Sequence, residues 1–159
     1  MPLIFNLRHL EDKNLRLKGE LPVEELEVDA LDELIHVRSP LAYDLEVQGL
    51  EKAVLVQGSL RLMLQCECAR CLKPYQDWLK LDHWVCHLPL EGEGQVTPVN
   101  DCVDLTPYIR EDIVLAFPQH PLCKPDCRGL ASTRKQTEKK PGTTAKSESA
   151  WAALDKLKL

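Results

Sequence analysis

Seven cysteines occur in this chain, and four of them form two doublets, Cys68-Ala69-Arg70-Cys71 and Cys123-Lys124-Pro125-Asp126-Cys127, about fifty residues apart. Thiolates are zinc ligands, and two doublets supply the four that one tetrahedral shell requires. The doublets are distant in sequence, so a shared ion would staple the end of one strand to the segment after a helix. A shell of four sulfurs leaves no open position, which makes the expected role structural. The competing reading is four separate thiols. Alone, Cys68 and Cys71 could be a redox dithiol, but an alternating apolar strand leads into them and Pro74 follows at once, unlike the strand-helix setting of thioredoxin-type pairs. The expected ligands are therefore Cys68, Cys71, Cys123 and Cys127, around one structural zinc.

The other candidate ligands read differently. Cys66 falls on the apolar face of its strand as a core thiol and is the substitute ligand should Cys68 not serve, while Cys86 and Cys102 read as packing residues. His83 and His87, four apart on a strand, read as half-exposed sheet positions, and His120 near the second doublet reads as a loop histidine.

No catalytic set competes with the cysteines. There is no Ser-His-Asp signature, Walker loop or dinucleotide fingerprint, so the expectation is a protein that is not an enzyme and takes no small-molecule substrate. Glu24-Glu25-Leu26-Glu27 and the acidic residues of 29–33 could suggest acid-base chemistry, but catalytic carboxylates need burial and pairing, and so dense a run reads as a solvated face or a docking surface for basic protein.

Charge divides the chain in two. Residues 1–130 carry 13 Lys and Arg against 22 Asp and Glu, whereas residues 131–159 carry 7 against 3. A net charge of -5 argues against indiscriminate binding to phosphate backbones. Met1 to Leu10 mixes Asn6, Arg8 and His9 into its apolar residues, unlike a secretory signal, and no apolar stretch approaches the eighteen or so residues of a membrane span. The expected setting is cytoplasmic, away from membranes, where close cysteines bind metal more often than they pair.

The elements that must position the doublets follow from periodicity. Leu3, Phe5 and Leu7, then Leu15 and Leu17, alternate as strand, turn, strand, while Pro22 to Leu34 has a mixed period that assigns nothing. Leu41, Tyr43, Leu45 and Val47 mark a half-buried strand ended by Gly49. A longer strand carries Val54, Val56, Leu60, Leu62, Leu64 and Cys66 on one face, with Gly58 at a bulge or bend. Tyr75 to Leu90 reads as its return, so the first doublet sits at a hairpin tip. After a Gly-rich loop, a helix over about 104–117 begins with Asp104 or Thr106 as cap and Pro107 in its first turn, and Pro118 stops it. Residues 131–149, rich in Ser, Thr, Lys and Gly, read as a disordered polar, basic linker, and 150–159 as a short amphipathic helix. The tail segment from Arg134 to Lys140 reads as linker before RNA contact.

The order of these parts resembles the YceD family of large-subunit ribosomal RNA accumulation proteins. The resemblance rests on Gly-Glu-Leu-Pro-Val-Glu-Glu-Leu at 19–26, Cys68-x-Arg70-Cys71-Leu72 after a long strand, and Asp104-Leu105 opening a helix that ends at Pro118. Pro121-Leu122-Cys123, Cys127-x-Gly129-Leu130 and a Trp-Ala-Ala-Leu-x-x-Leu ending from Trp151 complete it. It implies a non-catalytic ribosome-biogenesis role in the synthesis, processing or stability of the large-subunit (23S) ribosomal RNA, with that RNA or pre-ribosomal proteins as partners. The alternative is a zinc-ribbon-like protein-interaction or nucleic-acid-binding module outside ribosome assembly. Many relatives follow the Gly-Leu with a further Cys-Pro-x-Cys-Gly-like knuckle where this chain has Ala131-Ser132-Thr133, which removes a second metal site of that kind. The expected architecture is α+β: a mainly antiparallel sheet or partly open barrel over 1–130, with one principal helix and a cysteine knuckle.

Overall fold

The computed structural model describes residues 2–11, 13–29 and 31–130. The linker read over 131–149 and the helix read over 150–159 lie outside the described residues. The spine of the fold is β5 (Ala53–Glu67), which turns back into β6 (Pro74–Pro89) as a long antiparallel hairpin. On its other side β5 pairs with β4 (Leu41–Gly49) over its first half and with the short β3 (Ile35–Val37) near its end, and β2 (Leu15–Leu21) pairs with β4. All these pairings are antiparallel, giving a half-barrel. Ser39 Oγ, in the break between β3 and β4, donates to the Met63 carbonyl at 3.2 Å and ties that gap to β5.

The alternation read from β5 holds. Val54, Val56, Leu60, Leu62, Leu64 and Cys66 are buried. Gly58 lies where register shifts, because Gly58 faces Trp84 while Leu60 faces Leu81, leaving Asp82 and His83 opposite Ser59. This extra residue in β6 reverses its inward parity from Leu79 to Trp84 and Leu88, so Trp78 and Val85 of the apolar-looking run are exposed at 53% and 58%.

Two short elements close the inner face. β1 (Ile4–Asn6) pairs antiparallel with β7 (Cys102–Asp104) in a separate two-stranded sheet, and a 3-10 turn, Leu7–Leu10, follows β1. The expected alternation through Leu7 therefore ends one residue early. The principal helix, α2, runs Thr106–Leu115, inside the expected bounds. The N-cap position is Leu105, which offers no side-chain cap, rather than either expected residue; Asp104 Oδ1, one residue earlier, accepts from the Thr106 backbone N–H at 2.9 Å, and Thr106 Oγ1, inside the first turn, accepts from Leu3 N–H at 2.9 Å and anchors β1. Ile109 and Ile113 sink fully into the core against the sheet. Trp84 Nε1 donates to Asp112 Oδ2 at 2.6 Å, fastening α2 to β6. In the stretch that had no assignable period, one helical turn, α1 (Val23–Leu26), ends at Glu27 in the left-handed region (φ 49°). That reversal buries both Leu26 and Val28 and leaves Glu24, Glu27, Asp29, Asp32 and Glu33 exposed, a solvated acidic face.

Candidate metal centre

The tip of the β5–β6 hairpin is a tight six-residue loop. Cys68 N–H donates to the Lys73 carbonyl at 3.0 Å, and Leu72 N–H donates to the Cys68 carbonyl at 2.9 Å. Leu72 sits in the left-handed region (φ 58°), a costly backbone conformation for a residue with a Cβ. The second doublet is also a turn. Cys127 N–H donates to the Lys124 carbonyl at 3.1 Å, with Pro125 in the second position, where its fixed φ suits a type I or II turn.

Three contacts dock the turns. Ala69 N–H donates to the carbonyl of the buried Pro121 at 2.8 Å, and Arg70 Nη1 donates to the Cys127 carbonyl at 2.9 Å. Gly129 (φ 85°) passes close to the Arg70 carbonyl.

Docking brings Cys68, Cys71, Cys123 and Cys127 together, with all four sulfurs within 4.8 Å of one another. Two pairs cross between the turns: Cys68 Sγ to Cys127 Sγ at 3.7 Å and Cys71 Sγ to Cys123 Sγ at 3.6 Å. A disulfide would need about 2.05 Å. Four sulfurs bonded at about 2.3 Å to a tetrahedral ion stand about 3.8 Å apart. The set therefore fits a small tetrahedral cation, and its thiolate character suits zinc. Hydrogen bonding from the backbone of Cys123, and then of Cys71 and Arg70, lowers the Cys68 thiol to about 6, whereas the neighbouring sulfurs, Cys71 first, push Cys123 up to about 12.

The other candidates lie elsewhere. Cys66 is buried on the inner face of β5, where burial raises its thiol, and it does not join the group. Cys86 is half-buried, and burial with Asp112 nearby raises it to about 11. Cys102 Sγ receives a 3.6 Å contact from Asn6 Nδ2. His83, His87 and His120 are exposed and outside the group. Sequence reasoning missed Arg70 as the clasp between the turns; its place inside the first doublet was the available signal.

A family described as "Large ribosomal RNA subunit accumulation protein YceD" matches residues 56–158, which include most of β5, all of β6 and α2, and both doublets. The chain belongs to the YceD family. The chain is also similar to an uncharacterized protein of Mycobacterium bovis and to uncharacterized proteins of two Mycobacterium tuberculosis strains. Each is 33% identical over 100 residues, covering 57% of this chain and 47% of the relative. This YceD chain spans about half the length of the curated relatives it matches. No solved structure matches it. Among the described residues, no helix is long and apolar enough to cross a membrane.

Proposed function

We propose that this YceD protein is a cytoplasmic, non-catalytic ribosome-biogenesis factor that supports the synthesis, processing or stability of the 23S ribosomal RNA. The observation that carries this reading is the family match across the hairpin, the helix and both doublets. In it, one zinc held by Cys68, Cys71, Cys123 and Cys127 is a structural clasp. The ion would supply a crosslink between the hairpin tip and the segment after α2, and four sulfurs would leave it no position for water or substrate.

A non-catalytic role is supported by the state of one groove on the sheet. A groove of about 650 Å³ on the outer face of the sheet is lined by Arg16, Asp44, Gln57, Asp82 and His83. Its Asp44 is clamped by Arg16 at 2.9 Å and Lys18 at 3.4 Å, and the Arg16 hydrogen bond holds the carboxyl below its ordinary range. Such a carboxylate is a poor proton acceptor near neutral pH.

The test is a clean deletion with quantification of both ribosomal RNAs. A fall in large-subunit RNA relative to small-subunit RNA, restored by the wild-type chain, is the expected result, together with co-sedimentation of the protein with pre-ribosomal particles. Normal large-subunit RNA after deletion would contradict the proposal. Cleavage of precursor RNA by the purified protein alone would overturn its non-catalytic part.

A further inference from the structure

Charge on this domain is segregated by the fold. The two knuckle segments, 68–73 and 119–130, carry Arg70, Lys73, Lys124 and Arg128 against Asp126 alone. The rest of residues 1–130 carries nine Lys and Arg against twenty-one Asp and Glu. The cations also differ in what they touch. On the body, five of the nine, Arg8, Arg16, Lys18, Lys52 and Arg61, each lie 2.6 to 3.6 Å from a carboxylate. At the knuckle, all four cations are exposed, and among the described residues none has a carboxylate partner. Arg70 gives its hydrogen bond to a carbonyl instead and keeps its full charge uncompensated.

From this segregation we infer that the knuckle tip is a docking surface for RNA phosphates, with Lys73, Lys124 and Arg128 as the contacting cations and Arg70 at their base. The inference rests on the ribosomal RNA reading above and names the surface that serves it. Crosslinking the two turns gathers charges from sequence-distant segments into one place and fixes their backbones, so little ordering entropy is lost on binding. The acidic body repels the same phosphates. A polyanion therefore meets this domain tip-first, steered by the field of the whole domain.

The test uses the full-length, zinc-loaded chain and purified large-subunit ribosomal RNA, with affinity measured from 50 to 200 mM salt. The triple variant Lys73→Gln/Lys124→Gln/Arg128→Gln is compared with Lys135→Gln/Lys139→Gln/Lys140→Gln, which changes net charge equally in the tail. Losing three phosphate contacts reduces the slope of log affinity against log salt by about 2 to 3 and weakens binding near 0.1 M salt by about 100-fold. The knuckle variant should show this loss and the tail variant should not, with metal content and Tm as in wild type. If the triple variant loses its metal, the three single variants, each expected to remove about 0.7 to 0.9 from the slope, keep the test valid. Knuckle and wild-type chains that bind RNA equally would overturn this surface and leave the ribosomal reading standing. Wild type without RNA binding would overturn the surface too, and the deletion experiment then decides the ribosomal role separately. A knuckle variant that keeps RNA affinity but leaves pre-ribosomal particles would assign the surface to a protein partner and likewise overturn the inference.

Discussion

Replacing Cys71 with serine should open a link between segments 52 residues apart in the chain. By loop-closure entropy, a link across that span lowers the freedom of the unfolded chain by about 4 kcal/mol at 25 °C. The core residues Leu60, Leu62, Leu64, Ile109 and Ile113 are fully buried without help from the knuckle, so the domain should remain folded at room temperature. For a domain near 130 residues, each kcal/mol moves Tm by about 3 to 5 °C, so Cys71→Ser should melt about 12 to 20 °C below the zinc-loaded wild type. Thermal unfolding followed by far-ultraviolet circular dichroism measures this directly. Wild type treated with a strong chelator should fall to the temperature of the variant, and the variant should ignore the chelator. If variant and wild type melt together, and the chelator moves neither, the four thiols hold no stabilising ion. If Cys71→Ser is unfolded at room temperature, the core does not stand without the clasp.

Three further outcomes follow from the same geometry. Burial lifts the Cys86 thiol to about 11 and the Tyr75 phenol to about 12, from ordinary values of 9.0 and 10.0, so the folded state holds these protons more tightly than the unfolded chain. Their contribution is whole below pH 9 and is lost as pH climbs through those raised values, so Tm should fall between pH 9 and 11 and fall less in Cys86→Ala; a flat profile would contradict the burial argument. Trp84→Phe removes the 2.6 Å hydrogen bond to Asp112 and should cost about 1.5 to 3 kcal/mol in urea unfolding, whereas an unchanged midpoint would mean that α2 is fastened by packing alone. Gly58→Ala would drive a methyl group into the Asp44 carbonyl oxygen and to 2.8 Å from Leu45 Cα, at a cost of about 3 kcal/mol by denaturant midpoint. Gly94→Ala, with nothing within 4 Å and only a positive φ to strain, should cost about 1 kcal/mol, and equal midpoints for the two would refute the close approach at Gly58.

Much of this fold was legible because its longest elements carry their own periods. β4, β5 and the return of β6 are visible as alternation, and the hairpin tip falls where the first doublet stands. The doublets' meeting was legible for a chemical reason, since four thiols at those spacings have one common use. Three features were not legible. The pairing of β1 with β7 joins two three-residue strands about a hundred residues apart, too short to show a period. β3 is also three residues long and hides behind an acidic run. The parity reversal at Asp82 and His83 depends on the partner strand, because an extra residue leaves no mark in β6 itself; Trp78 and Val85 therefore look like core from composition and stand in solvent. At the site, the four-sulfur set could be named from spacing, whereas which cations find a carboxylate, as five on the body do and Lys73, Lys124 and Arg128 among the described residues do not, depends on the fold.

The central claim is that two distant doublets close on one ion. Native mass spectrometry of protein purified without chelator tests it most directly, comparing wild type with Cys71→Ser and Cys123→Ser. One zinc per wild-type chain, lost in each variant, is the predicted result. Wild-type protein without metal and with freely titratable thiols, or metal retained in either variant, would contradict it.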